Sequence, residues 1–350
     1  MHNQSFGTLF DQNYLSRGLA LRHSLRAQKV SFCLYILCLD ERTFDFFQEE
    51  EQSDTVSIPL GELENYFPEL VLAKENRNWA EYIFTLSPCW PLFLLDRFPH
   101  ISVITTMDAD LYFFSDPTVL LGTMEFASVL ITPHRFSKHN LHLVNYGLYN
   151  VSFQAFKKDQ IGIACLEKWK EDCLDWCYDR LEPGRFADQK YLDGWKDQFG
   201  PKIVEVEDHG SGLAPWNIGN VQFELRNGEL FVDGSKFIFF HFHNLRFVRS
   251  WIITSGLSAF HAHNPKLFRY IYEPYIHIVS SYAIKIGQLS DRPTPYRPSY
   301  SLKQVAGRLL NDELYLYLYK SLFIPLHLKK LRELYAKINS LMKKIYGLYS

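Results

Sequence analysis

Asp108 and Asp110 are the residues whose type and spacing most directly suggest chemistry. They close the run Ile101-Ser102-Val103-Ile104-Thr105-Thr106-Met107-Asp108-Ala109-Asp110-Leu111-Tyr112-Phe113-Phe114. Its β-branched start predicts a buried parallel strand. In an extended segment, carboxylates at i and i+2 point to one face, here across Ala109 alone. Two such groups repel each other unless a cation or a proton lies between them. Hard oxygen ligands at the C-terminal end of a sheet strand suit Mg²⁺ or Mn²⁺ bridging a diphosphate. The plainer alternative is a strand end carrying two solvated acids. Further along, Phe240-His241-Phe242-His243-Asn244 alternates His241 and His243 onto one face, and either imidazole would complete a metal site.

Four other stretches carry candidate groups. Asp11, Asn13 and Tyr14 follow a first strand, and they are able to hold a ribose, a base edge and a base face; an Asx turn with a helix cap is the structural alternative. Arg77, just before a long helix, is a candidate for facing a phosphate. In Asn145-Tyr146-Gly147 the glycine lets the backbone approach a ligand closely. Asp188 and Gln189 place a carboxylate and an amide side by side at a helix start, able to hold a sugar or to present an acid near an anomeric carbon; a helix cap is the structural alternative. Gly210-Ser211-Gly212, leading to Trp216 and Asn217, reads as a sugar-stacking platform.

The elements that must position these groups alternate. Strands are expected at 6–10, 30–39 and 56–58, helices at 15–25 and from Asp40 to about Glu51. This β-α-β-α-β order predicts a parallel sheet with its ligand site at the strand C-terminal ends. A helix is expected from Trp79 to Phe98, interrupted near Pro88 and Pro91, then a strand at 126–132 and a helix at 166–180. Asn227-Gly228 signals a hairpin over 222–232, read as an antiparallel edge on the main sheet. Helices are expected from about His261, a Pro-rich linker at about 290–300, and helices over 314–323 and 326–348.

Bulk properties bound the reading. The chain has 350 residues, 47% hydrophobic and 22% charged, enough for a sizeable α/β core plus an extension. No run of apolar residues reaches transmembrane length, and the N-terminus lacks the basic and apolar regions of a signal peptide. Six cysteines without C-x-x-C pairs read as reduced core residues of a cytosolic protein. From Arg292 onward, 11 Lys and Arg stand against 3 Asp and Glu; that +8 leaves −10 on the rest of a chain whose net charge is −2. An acidic body argues against nucleic acid as a partner, and the basic, Tyr- and Leu-rich tail suits an anionic membrane surface.

Five stretches in order give these residues a family resemblance: Phe10-Asp11-Gln12-Asn13-Tyr14, Asp108-Ala109-Asp110-Leu111-Tyr112-Phe113, Asn145-Tyr146-Gly147, Phe186-Ala187-Asp188-Gln189 and Phe240-His241-Phe242. Over residues 6–245 the chain resembles the GT-A nucleotide-diphospho-sugar glycosyltransferases, in particular the retaining family that includes glycogenin and bacterial lipopolysaccharide galactosyltransferases. The resemblance implies a Rossmann-like α/β fold with a mixed, mainly parallel sheet, a catalytic domain over 1–260 and a helical C-terminal region over 261–350. It implies that Asp108, Asp110 and His241 chelate Mn²⁺ or Mg²⁺ on the diphosphate of a donor such as a UDP-sugar, with Ala109 beside it. Asp11, Asn13 and Tyr14 would bind the nucleoside, and Asp188 and Gln189 the donor sugar. The family follows its histidine with a Gly and a Lys-Pro-Trp segment; here His243-Asn244-Leu245-Arg246 stands instead. Arg246 or Arg249 would then replace the phosphate-binding Lys, and His241 and His243 both remain candidates for the metal. The expected acceptor is a glycan or glycolipid hydroxyl, at the inner face of the cytoplasmic membrane. A nucleotide-sugar phosphohydrolase and an inactive sugar-binding scaffold are the rival readings.

Overall fold

The computed structural model describes residues 4–50, 52–249, 252–262, 268–287 and 314–316. The expected linker at about 290–300 and nearly all of the basic tail lie outside the described residues. Strands β1 (Gln4–Phe10), β2 (Phe32–Cys38), β3 (Thr55–Pro59), β4 (Val103–Met107), β6 (Val129–Pro133), β7 (Tyr149–Lys157) and β8 (Ile203–Glu205) form one sheet in the order β3-β2-β1-β4-β7-β6-β8. Strand β5 (Leu111–Phe113) lies outside it. All neighbours run parallel except β7, which is antiparallel to both β4 and β6. The molecule is thus α/β, with a mixed, mainly parallel sheet.

Helices α1 (Leu15–Ala27) and α2 (Glu41–Glu49) follow β1 and β2. Then come α3 (Leu60–Tyr66), α4 (Glu69–Glu75), α5 (Trp79–Arg97), α6 (Gln160–Asp175), α7 (Trp195–Phe199) and, late in the chain, α8 (Glu273–Lys285). Alternation along β2 feeds two cores. Tyr35 and Leu37 pack with α5 and α6 residues such as Trp90, Phe93 and Trp169, while Leu34 and Ile36 pack with Leu19, Leu25 and Phe47 of α1 and α2. β1 leads outward to β2 on one side and pairs with β4 on the other, so the topological switch point lies between β1 and β4.

Three expectations are corrected. α5 is continuous through Pro88 and Pro91. A reciprocal Asn78–Glu81 capping box fixes its start, and burial of Leu86, Cys89, Trp90 and Phe93 outweighs the lost backbone bonds. The 222–232 segment does form a hairpin, β9 (Phe223–Arg226) and β10 (Glu229–Val232), but with β11 (Ser235–Lys236) it makes a separate three-stranded sheet. The antiparallel strand of the main sheet is the interior β7. Leu314–Leu316, expected to start a helix, is a strand, β15, because its backbone pairs antiparallel with β14 (Ile252–Thr254), a long-range partner that local periodicity does not include.

The described chain falls into two units. One comprises residues up to His243 together with those from Phe260 through α8; the other comprises Asn244–Ala259, holding β13 (Arg246–Arg249) and β14, together with β15. Among the described residues no helix is long and apolar enough to cross a membrane. All six cysteines are buried and free.

Candidate functional site

β4 ends at Met107, and Asp108-Ala109-Asp110 is a turn. The Leu111 amide donates to the Asp108 carbonyl at 3.2 Å, and the Asp108 amide to the Ser152 carbonyl of β7 at 3.0 Å. The two acids are brought together by this turn, so the extended-strand alternation expected above is corrected. β5 begins directly after it and pairs antiparallel with β12 (Phe239–His241), setting Leu111 opposite His241. The Phe242 amide then donates to the Asp110 carbonyl at 3.0 Å. This register carries His241 Nε2 to 3.1 Å from Asp110 Oδ1 and 3.6 Å from Asp108 Oδ2.

One ligand atom from each of Asp108, Asp110 and His241 lies within 4.8 Å of the other two. Two carboxylates and an imidazole at that spacing are a donor set that fits Mn²⁺ or Mg²⁺. Burial pushes the Asp110 carboxyl up, but the charge and hydrogen bond of His241 outweigh it and hold it below the usual carboxylate range. Burial pushes Asp108 up against the opposing pull of His241, moderated by a side chain that stays 40% exposed. Burial lowers His241, yet Asp110 and Asp108 together raise it. His243 stands outside this cluster, its ring 5.7 Å from that of His241. His241 Nδ1 is buried without a hydrogen-bond partner, whereas a metal-bound imidazole commonly donates from its second nitrogen.

Asp188 is close enough to Asp108 to feel its charge. It follows Ala187, whose φ of 45° is strained for a residue with a Cβ, and the Trp169 indole of α6 donates to its carbonyl at 2.8 Å. The side chain is 2% exposed and its Oδ2 has no partner. Burial, with Asp108 adding to it, pushes this carboxyl up to about 7. Gln189 donates from Nε2 to the Tyr146 carbonyl at 2.9 Å, over Gly147, whose φ of 140° is a glycine conformation. Asp108 and Asp188 line one cavity of about 130 Å³, floored by β1, β4 and β7 and walled by α5.

Asp11, Asn13 and Tyr14 sit past the end of β1, next to the switch point. Asp11 accepts from the Asn13 amide at 2.9 Å and from Asn13 Nδ2 at 3.1 Å, so an Asx turn is present. Tyr14 is exposed, with the Arg17 guanidinium 4.5 Å over its ring. Two groups here escaped the sequence reading. The half-exposed Trp79 donates from its indole N–H to Asp11 Oδ2 at 3.2 Å, and Arg17 helps to lower the Asp110 carboxyl. Their only sequence signals were an aromatic residue directly after a helix cap and a base three residues beyond Tyr14.

Other expected residues are placed differently. Arg77 is buried, and its guanidinium donates to the Cys173 and Leu174 carbonyls near the end of α6 at 3.0 and 2.8 Å; it closes a helix end where a phosphate contact was expected. Trp216 is buried edge-on against His241 and His243, its indole donating to the His134 carbonyl, so it offers no open stacking face. Asn217 is spent on the loop, donating to His134 and Gly212 carbonyls and accepting from the Ala214 amide. Asn145 is exposed in the 3-10 helix Lys138–Tyr146, which ends just before Gly147. Arg246 lies on β13 of the second unit and donates to Asn244 Oδ1 at 3.2 Å.

No family model matches the chain. It is 32% identical over 252 residues to YfnF, an uncharacterized protein of Bacillus subtilis (strain 168), covering 70% of this chain and 82% of that one. It is 29% identical over 240 residues to YfnD of the same organism, also uncharacterized, covering 68% and 76%. Among the solved structures it resembles are two glycosyltransferases. The galactosyltransferase LgtC, crystallised with donor and acceptor sugar analogues, matches with a TM-score of 0.49 and 11% identity over 83% of this chain and 98% of that one. Mouse xyloside xylosyltransferase 1 matches with 0.40 and 14% over 61% and 87%.

Proposed function

The chain belongs to the family of Bacillus subtilis YfnF, and we propose that it is a metal-dependent glycosyltransferase. It would move a hexosyl group from a nucleotide diphosphate donor, a UDP-sugar, to a hydroxyl of a glycan or glycolipid. The observation that carries this reading is the convergence of Asp108, Asp110 and His241 within 4.8 Å, beside the sheet's switch point, with Asp108 lining a cavity together with Asp188. A divalent cation held by those three side chains would supply positive charge against the charge that builds on the departing diphosphate.

The chain's own residues take the remaining roles. The Asp11 carboxylate, oriented by Asn13 and Trp79, is set to accept from an N–H on the edge of a base, with Tyr14 as its stacking face. Asp188 and Gln189 hold the sugar on the side where transfer occurs. Retention of anomeric configuration rests on the resemblance of the five ordered motifs. The charge of +8 from Arg292 onward supports a peripheral seat on an anionic inner-membrane surface.

The test is turnover of UDP-sugars with a glycan acceptor, with and without Mn²⁺. Metal-dependent transfer that disappears in Asp110→Asn supports the proposal. Rapid hydrolysis of the donor with no acceptor dependence would assign the site to a phosphohydrolase.

A further inference from the structure

The loop from β6 to β7 lies at the same end of the sheet as Asp108, because β7 runs antiparallel to both β4 and β6. Most of it is the 3-10 helix Lys138–Tyr146, with the sequence Lys-His-Asn-Leu-His-Leu-Val-Asn-Tyr. Three residues per turn stack its side chains in rows three apart. The row of Asn140 and Tyr146 faces the protein. Asn140 is buried and donates from Nδ2 to the Trp216 and Phe260 carbonyls at 3.1 and 2.8 Å, and the Tyr146 ring meets Phe186 edge-on at 4.8 Å. The other two rows turn outward. Lys138, His139, Leu141 and His142 are exposed, Leu141 by 57%, and just beyond Gly147 the Leu148 side chain is exposed by 45%.

A single exposed leucine needs no explanation, since much of any folded surface is apolar. Here two stand on one short loop beside a lysine and two imidazoles, the composition of a segment that lies in a lipid–water interface. Charge selects the partner. Residues 126–158 contain no Asp or Glu, whereas residues 1–291 together carry −10. An anionic bilayer repels most of such a surface and accepts this loop, where Lys138 adds attraction. Asp193, which accepts from the Leu148 amide at 2.7 Å, is itself paired with Lys190 Nζ at 2.7 Å. The loop is also tied to the candidate site, because Gln189 donates to the Tyr146 carbonyl.

Building on the glycosyltransferase reading, we propose that the 3-10 helix Lys138–Tyr146 and Leu148 form a lipid-contacting rim. It lays Leu141 and Leu148 into the headgroup region of an anionic bilayer and so presents the site to the sugar hydroxyl of a membrane-held glycolipid. This contact is separate in sequence from the basic tail.

The experiment is sedimentation of the full chain with vesicles of phosphatidylglycerol and phosphatidylcholine in equal parts. The Leu141→Gln, Leu148→Gln double variant is expected to lose about tenfold in partitioning, and Lys138→Gln about fivefold. Phe126 is more exposed, at 79%, but precedes β6 at the other end of the sheet, and Phe126→Gln is expected to partition as wild type does. A polarity-sensitive dye gives a second reading, since all six native cysteines are buried and a thiol introduced by Leu141→Cys is labelled in their place. Its emission is expected to shift to the blue on adding vesicles, and that of labelled Phe126→Cys to stay fixed. Unchanged partitioning of the folded double variant, a dye shift at both positions or at neither, or a wild-type dimer that the double variant dissociates would overturn the proposal. Vesicle binding needs neither donor nor metal, so the two readings fail separately: loss of the vesicle contact removes this proposal alone, whereas failure of UDP to bind with Mn²⁺ removes the glycosyltransferase reading and, with it, the purpose of the contact.

Discussion

Asp188 holds a proton in the fold that the unfolded chain gives up near pH 4, because burial pushes its carboxyl up to about 7. Its folded value is raised, so its contribution to stability is lost as pH rises from about 4 to about 7. Metal-free Asp188→Asn is therefore expected to melt above wild type at pH 8, with the gap closing toward pH 4, while transfer activity collapses. A gap that stays constant across that range contradicts burial as the cause. Trp79 offers a second test. Its indole bond holds Asp11, and Trp79→Phe is expected to weaken UDP binding by about threefold to tenfold with an unchanged melting temperature. Unaltered affinity would show that Asp11 needs no such support. At this scale Asp108, Asp110, Asp188 and His241 were legible because carboxylates and imidazoles announce themselves in order along the chain. Trp216 and Asn217 misled because the same aromatic and amide groups that suit a sugar also suit a buried loop.

Helix α6 positions Asp188 through the Trp169 indole, and its own start depends on Gly162. A Cβ there would stand 2.1 Å from the Lys157 carbonyl, a backbone atom that cannot step aside. Gly162→Ala is expected to cost roughly 1–3 kcal/mol, seen as a lower urea midpoint, and to weaken donor binding through displaced Trp169. An unchanged midpoint would mean that the first turn is not packed against β7 as described. Most elements were readable from period and caps, as with Asp40 accepting from the Thr43 amide to start α2. Two features resisted. The acidic pair sits in a turn fixed by Ser152 and β12, partners far away in sequence. The prolines of α5 yielded to tertiary packing, which local propensity does not include.

For the whole molecule, the parallel order β3-β2-β1-β4 places the ends of β1 and β4 side by side, so the segments after them, which carry Asp11 and Asp108, start at neighbouring strand ends although 97 positions apart in sequence. The parallel sheet was legible from the alternation of elements, but the place of β4 beside β1 was not, since strand order is set by long-range packing. The inverted β7 was not, since no local signal sets strand direction. Charge acts at this scale too. With −10 before Arg292 and +8 after it, the protein is expected to sediment with phosphatidylglycerol vesicles at low salt, to be released as salt rises, and to ignore phosphatidylcholine. Equal binding to both lipids would rule out an electrostatic seat. The central claim is that one metal-bound diphosphate joins these parts, and calorimetric titration of UDP with and without Mn²⁺ tests it most directly. Wild type is expected to bind UDP only with the metal, and the Asp108→Asn, Asp110→Asn double variant to lose that dependence together with the affinity. Metal-dependent binding that survives intact in the double variant would contradict the account.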